Sequence, residues 1–307
     1  MDKSSKKFKT RISPTPSGYL HLGNALNFVY TWLLAMNSGA TLCLRIDDLD
    51  TSRLRPEYVE DIFRTLEWLG IEYDEGPQSP DELQKKYSQN LRKDLYFACI
   101  EQLKEYSFPC TCTRKQILET SPDGKYPGTC RELQQSTALL DEYALRIRIP
   151  EGSFVSWDDL NQGPQRVNLY AQMRDFIILR KDGIPAYQIA SLVDDREMGI
   201  NILVRGEDLK DSTAAQLYLA QKISFDAFAQ SHFLHHPLLR GMNGEKLSKS
   251  AGALSIRELR RNSVSRSQTL TQIAHMLGVP NYMEIHSLIE LLQCKQYIKG
   301  MPDGVSK

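Results

Sequence analysis

Three cysteines, Cys110, Cys112 and Cys130, fall within "CTCTRKQILETSPDGKYPGTC". Thiolates at this spacing suit a zinc ion, which in a structural site takes four ligands in a tetrahedron. No histidine lies in the stretch. Spacing alone therefore leaves the fourth position open, and it equally allows three buried thiols in a loop-rich module. Two other clusters could act on phosphate. "PTPSGYLHLGNAL" offers His21 and Asn24 as donors beside small residues, Gly23 among them, that let a backbone approach a nucleotide. A helix opening there would favour a phosphate at its N-terminus. "GEKLSKS" (Gly244 to Ser250) offers Lys246 and Lys249, cations able to neutralise charge on a leaving pyrophosphate. Taken singly, the first is also an ordinary strand-to-helix turn and the second a solvated lysine loop.

The elements that would carry these residues alternate. "FKTRIS" reads as a strand cut off by "PTPSG". From Leu22 to Met36, a helix puts Phe28, Val29, Trp32, Leu33 and Met36 on one face. "TLCLRI" is a continuous apolar run, as in a strand of a covered parallel sheet. Pro56 opens the next helix and Gly70 ends it, with Val59, Ile62, Phe63, Leu66 and Leu69 as its apolar stripe. Strand and helix in alternation predict a parallel α/β sheet. The rhythm breaks after about residue 105, where the cysteine stretch, "ALRIRIP" and "DFIILR" read as an inserted module. It resumes with "INILVRG", a helix capped near Ser212, and "HFLHHPLL". "SPDGK" is a loop by its turn residues. Beyond Ser255 the chain reads as helical, with Arg257, Arg260, Arg261 and Arg266. The resulting partition is 1–105 and 189–255 as two halves of one sheet domain, 106–188 as the insert and 256–307 as a helical tail.

Composition narrows the setting. Of 307 residues, 41% are hydrophobic and 25% charged, with 38 basic against 38 acidic side chains. That is the profile of an ordinary globular chain. With no net charge, a polyanion must be held by a local basic patch. Six cysteines at this length do not make a disulfide scaffold. The start, "MDKSSKKFKT", has no apolar signal region, and no apolar run is long enough to span a bilayer. A cytoplasmic, reducing setting follows as the expectation, and there clustered cysteines favour metal over disulfide.

The two phosphate clusters gain meaning as a pair. "HLGN" and "KLSKS" are similar to the HIGH and KMSKS signatures of class I aminoacyl-tRNA synthetases, one after the first strand and one after the last. With "LRIDDLD", "AYQIASLVDD" and "VRGEDLKDSTAAQLYL", they resemble the catalytic domain of a glutamyl-tRNA synthetase over nearly the whole chain. The chain runs only a short way beyond Ser250, too short for the anticodon-binding region of those enzymes. With the cysteine module, this layout resembles the glutamyl-Q tRNA(Asp) synthetase family, which loads glutamate onto queuosine, the wobble base of tRNA(Asp). The resemblance implies a Rossmann-type parallel sheet with an inserted zinc-bearing module and a short helical tail. It implies ATP, with Mg²⁺, L-glutamate and the anticodon stem-loop of tRNA(Asp) as partners, and no membrane or obligate protein partner. Two alternatives stand beside it: a truncated glutamyl-tRNA synthetase charging a tRNA 3′ end, and a non-catalytic tRNA-binding paralogue.

Residue roles follow from the same resemblance. Arg11 and Arg205 match arginines that hold glutamate, a role for which a planar guanidinium fork is suited. Tyr187 matches a tyrosine that reaches the substrate, and the backbone about Ser13 and Thr15 lines the same site. The family glutamate that binds the substrate ammonium is replaced by Asp47, one methylene shorter. His21, Gly23, Asn24, Lys246 and Lys249 would hold ATP, with His21, Lys246 and Lys249 as the catalytic charges. Asp194 and Asp195 match as well, but equally could cap or pair within the fold. The family's zinc pattern fits Cys110, Cys112, Tyr126 and Cys130, with the Tyr126 phenolic oxygen as fourth ligand; Asp123 or water are its rivals.

Overall fold

The computed structural model describes residues 8–132, 143–237, 254–298 and 300–301. Strand β1 (Lys9–Ile12) leads through the "PTPSG" turn into helix α1 (Leu22–Ser38), which returns the chain to β2 (Thr41–Leu44), paired in parallel with β1. Helix α2 (Pro56–Leu69) starts at its proline and ends on Gly70, whose φ of 75° is the left-handed conformation that glycine adopts without strain. Its stripe of Val59, Ile62, Leu66 and Leu69 is buried, each side chain adding about 1.5–3 kcal/mol of transfer free energy. A turn at Gln89–Arg92 leads into α3 (Lys93–Gln102).

The next stretch builds two different structures. Strands β3 (Ser107–Cys110) and β4 (Ala144–Ile147) pair antiparallel, and a later strand, β7 (Ile177–Leu179), joins the far side of β4. Helix α4 (Arg114–Thr120) sits between the cysteines, its N-terminus closed by a Thr113–Gln116 capping box. In the same stretch β5 (Phe154–Asp159) and β6 (Gly163–Asn168) form an antiparallel ribbon, followed by the short helix α5 (Leu169–Met173). That ribbon does not join the cysteine-bearing sheet. It attaches to the main sheet, where Asp159 pairs with Phe233.

Helix α6 (Tyr187–Glu197), strand β8 (Ile202–Gly206), helix α7 (Lys210–Lys222) and strand β9 (His232–His236) complete the main sheet, β8 and β9 pairing in parallel. Strand β1 lies beside β8, where the Asn201 N–H donates to Lys9 O at 3.0 Å and the Lys9 N–H to Asn201 Oδ1 at 2.8 Å. The spatial order is thus β2–β1–β8–β9 with the β5–β6 ribbon at the β9 edge. The expected cap near Ser212 is not there. A 3₁₀ turn at Glu207–Leu209 runs straight into α7, and its two acids supply the negative charge that a helix start favours. Ser212 lies inside the first turn.

The tail forms α8 (Ile256–Arg261), α9 (Arg266–Leu277) and α10 (Leu288–Gln293), the first two opened by Ser–Glu and Ser–Gln capping boxes. It folds back onto the sheet domain: Leu270, Ile273, Leu288 and Leu291 share one core with α1 and α2. This explains a difference in α1. The sequence gives it a single apolar face ending in Met36. Instead Ala25, Val29, Leu33 and Leu34 are all inaccessible, because sheet and tail cover it from more than one side, and Met36 in the last turn is 37% exposed. No helix among the described residues is long and apolar enough to cross a membrane.

Candidate active site and candidate metal centre

Parallel strands open a crevice at their carboxyl ends where neighbouring connections leave in opposite directions. Here that point is between β1 and β8, and a cleft of about 550 Å³ lies there. Arg11, Ser13, Thr15, His21, Gly23, Asn24, Asp47, Tyr187 and Arg205 all line it. They come from β1 and its turn, the start of α1, the end of β2, the start of α6 and β8. Lys246 and Lys249 lie outside the described residues. The chain on either side of them meets the cleft: His236 at the end of β9 lines it, and Ser255 bridges to His21 while the Ile256 N–H donates to Leu20 O at 2.7 Å.

His21 is the N-cap of α1. Its Nδ1 accepts the Gly23 N–H at 3.0 Å, and Asn24 Oδ1 accepts the His21 N–H at 3.0 Å. An accepting Nδ1 assigns the ring proton to Nε2. A Cβ at Gly23 would fall 2.9 Å from the imidazole, so the glycine makes room for this cap.

Beneath the cleft is a buried ionic network. Asp195 Oδ1 accepts from Arg11 Nε at 2.9 Å and from Arg45 Nη1 at 2.6 Å. Arg45 Nε donates to Asp47 Oδ1 at 2.8 Å. Asp194 takes Arg92, Gln89 and the Tyr96 hydroxyl. So Asp194 and Asp195 pair within the fold. Burial would raise the Asp195 carboxyl, but Arg11, Arg45 and Arg205 outweigh it and hold the group below its ordinary value. Asp47 goes the other way: burial pushes it up to about 6 against the pull of Arg45. Arg205 is 2% exposed. Its Nη1 donates to Thr213 Oγ1 at 2.8 Å and its Nη2 to Gln216 Oε1 at 2.5 Å. Its Nε has no hydrogen-bond partner. Burial depresses the guanidinium against the pull of Asp195, whose Oδ2 stands 3.7 Å from Nη2. The cleft thus holds two buried guanidinium groups, a carboxylate and an N-cap histidine, the complement of a small zwitterionic acid beside a phosphate.

The three sulfurs of Cys110, Cys112 and Cys130 lie within 4.8 Å of one another, Cys112 and Cys130 at 3.6 Å. Tetrahedral zinc with bonds near 2.3 Å requires sulfurs about 3.8 Å apart, so the cluster can hold such an ion with small adjustment. Tyr126 joins it. Its hydroxyl oxygen accepts the Cys130 N–H at 2.6 Å and is in hydrogen-bond contact with the Cys110 and Cys130 thiols. Burial would raise the Cys130 thiol, but hydrogen bonds from the Thr111 backbone, Tyr126 and the neighbouring thiols bring it down to about 7. Burial keeps Cys112 up at about 11, and Tyr126 well above its ordinary value. Asp123 is turned to other work, accepting from Ser121 Oγ at 2.7 Å and the Lys125 N–H at 3.1 Å.

Residues 7–301 match the family model of class I tRNA synthetases (E and Q), catalytic domain. The chain belongs to this family. The synthetase is 37% identical over 288 residues to a glutamyl-Q tRNA(Asp) synthetase from Nitratidesulfovibrio vulgaris, covering 89% of this chain and 87% of that relative. It is 33% identical to a glutamate–tRNA ligase 2 from Halorhodospira halophila over 93% of this chain but 60% of the relative. Among solved structures, a glutamate-tRNA synthetase from Elizabethkingia anophelis superposes with a TM-score of 0.76 at 26% identity, covering 98% of this chain and 68% of that one. The synthetase is therefore a class I ligase of the glutamyl type.

Several residues that build the synthetase's cleft were not singled out in the sequence. Arg45 stood inside "LRIDDLD", but nothing in a motif says that an arginine will bridge two aspartates from beneath. Asn27, Asp208 and His236 line the cleft, with Asn27 Nδ2 at 2.9 Å from His236 Nε2. Only the doubled histidine of "HFLHHP", at the end of a strand, could have drawn notice.

Proposed function

We propose that this synthetase activates L-glutamate with ATP and transfers it to queuosine at the wobble position of tRNA(Asp). The observation that carries the first half is the convergence of Arg11, Asp47, Tyr187 and Arg205 with His21 and Asn24 on one cleft. Arg11 and Arg205 hold the carboxylates of glutamate, Asp47 its ammonium, and Tyr187 hydrogen-bonds the substrate, with the Ser13–Thr15 backbone as the floor. His21 donates from Nε2 to an ATP phosphate, beside Gly23 and Asn24. A glutamate carboxylate oxygen bonds to the α-phosphorus, the bond to the bridging oxygen breaks, and pyrophosphate leaves. The protein's share is positioning and charge, from His21, Lys246 and Lys249. Mg²⁺ bound with ATP supplies further neutralisation of the phosphates. In the second step a hydroxyl of the queuosine cyclopentene ring attacks the acyl carbon, and AMP departs.

What favours queuosine as acceptor is the match to the relatives named for that reaction over most of their own length, together with the cysteine centre. Cys110, Cys112, Cys130 and Tyr126 hold one structural zinc, which supplies folding energy to the module. The working partition is a catalytic domain in two halves (1–105 and 189–255), an inserted stretch (106–188) whose β5–β6 ribbon joins the main sheet, and a tail (256–307), in a cytoplasmic enzyme that takes the anticodon stem-loop into its cleft. The deciding experiment incubates the enzyme with ATP, labelled glutamate and purified tRNA(Asp) with and without queuosine. Label should enter only the queuosine-containing tRNA; equal labelling of queuosine-free tRNA would replace this reading with charging of the 3′ end.

A further inference from the structure

One buried chain of hydrogen bonds leads to Arg205 from outside the cleft. Asp159, the last residue of β5, is 4% exposed, and His235 and Thr213 are wholly inaccessible. The Asp159 carboxylate collects the Asn161 and Gln162 N–H groups at 3.0 Å each, the His235 N–H at 3.0 Å and His235 Nδ1 at 2.5 Å. His235 Nε2 lies 3.0 Å from Thr213 Oγ1, and the same oxygen accepts Arg205 Nη1 at 2.8 Å. The second acceptor for Arg205, Gln216, stands three residues on from Thr213, so both face it from one side of α7.

We propose that Asp159, His235 and Thr213 are positioning residues for substrate glutamate: together they fix the direction in which Thr213 accepts from Arg205, and so aim the guanidinium at the amino-acid pocket. The logic is one of donors and acceptors. An ionised carboxylate only accepts, so His235 must carry its proton on Nδ1. Nε2 is then an acceptor, and the only proton Thr213 can offer it is its own hydroxyl hydrogen. That rotor setting turns the Thr213 lone pairs to Arg205. Each link is buried, so each alternative setting leaves a polar group without a partner. The charge states agree with this. Burial pushes the His235 ring below its usual value. Asp159 would be raised by burial, but its hydrogen bonds, His235 foremost, hold it below the ordinary range. Trp157, two residues before Asp159 on β5 and itself buried, packs with its ring 5.9 Å from the His235 ring. The β5–β6 ribbon, remote from the motif residues in sequence, thereby becomes part of the amino-acid site.

The inference rests on Arg205 holding glutamate, so the test separates the two. Glutamate and ATP KM values are measured by ATP–pyrophosphate exchange for wild type, Arg205→Lys, Thr213→Val and Thr213→Ser, with tRNA present throughout. Thr213→Val keeps the shape and removes the hydroxyl. It should raise the glutamate KM about tenfold or more, since an unpaired buried group is left on each side, while the ATP KM stays within about twofold. Thr213→Ser should restore wild-type behaviour. A rise in Arg205→Lys with none in Thr213→Val overturns the positioning chain and leaves the pocket assignment standing; no rise in Arg205→Lys overturns the pocket assignment itself. Parallel rises in both KM values in Thr213→Val mean general damage and also overturn it. A measurement on unaltered protein guards against misfolded variants: the ¹⁵N shifts of His235 should report a neutral ring protonated at Nδ1 at neutral pH. An Nε2–H tautomer or a charged ring there refutes the chain.

Discussion

Arg205 and Asp47 make opposite electrostatic demands on the same small space, and both demands can be measured. Arg205 is buried with Nε free of hydrogen bonds, and it shares its one nearby carboxylate, Asp195, with Arg11 and Arg45, so it keeps donor capacity for an incoming anion. Arg205→Ala removes a desolvated fork, a loss of about 2–5 kcal/mol, or roughly thirtyfold to several-thousandfold in kcat/KM for glutamate. Pyrophosphate exchange would show it, and a loss under about fivefold would put glutamate elsewhere. Asp47 titrates in reach of experiment. Its folded value near 6 lies above its ordinary 3.8. The ionised form is therefore the one that burial opposes, and the group takes up its proton as pH falls through about 6. Only the carboxylate can pair with an ammonium. So kcat/KM for glutamate should fall on the acid side of about 6, where the free-enzyme profile reports this group. Asp47→Asn should be slow at every pH and lack that limb, whereas Asp47→Glu, which keeps the charge, should retain the limb and remain within a few-fold of wild type. A limb that persists in Asp47→Asn belongs to another group. At this scale the family resemblance picked out Arg11, Asp47, Tyr187 and Arg205, scattered in sequence, and the fold brings them to one cleft. The sequence was not legible for Arg45, Asp194 and Asp195, whose roles depend on being brought together from β2 and α6.

At the scale of elements, the runs with a single environment were the ones that could be read. Strands β2 and β8 are largely apolar runs and are almost wholly buried, and α2 carries a clean stripe opened by proline and ended by glycine. The β5–β6 ribbon was unreadable because it is largely polar, exposes Phe154 and buries Asp159; its place at the main sheet is set by pairing and side-chain contacts to β9, which no local pattern encodes. The cysteine element falls between the two cases. Its donors were visible, but a ligand oxygen and a packing tyrosine look alike in sequence. Tyr126 does pack, 4% exposed, with Arg146 lying 4.0 Å over its ring. Tyr126→Phe keeps that packing and deletes the oxygen. Zinc should bind the wild type at one equivalent, and Tyr126→Phe should release it faster to a chelator. Cys112→Ser should lose it and raise protease sensitivity about residues 105–132, leaving the main sheet intact. Binding should weaken as pH falls, because thiolates, not thiols, are the ligands. Unchanged zinc content and chelator resistance in Tyr126→Phe would make the tyrosine a packing residue only.

For the molecule as a whole, the question is whether the cleft is complete before tRNA arrives. Four arginines and three aspartates, contributed by β1, the β2 end, the Gln89–Arg92 turn, α6 and β8, are locked to one another beneath it. Breaking one such buried pair costs on the order of 3–5 kcal/mol. A mechanism in which tRNA first assembles the glutamate site would have to remake this network at that cost, and the contacts that hold it are all within this chain. The tail adds to the rigidity. Arg260 of α8 pairs with Asp61 of α2, and Arg257 lies 4.3 Å over the Tyr19 ring, so the turn before His21 is held from the opposite side. The described residues that line the amino-acid side of the cleft are thus held by one preformed network. ATP–pyrophosphate exchange should proceed with glutamate alone, in the absence of any tRNA. Exchange that begins only when tRNA is added would mean that the network is remade on binding, and that the cleft described by these residues is a resting state rather than the one that reacts.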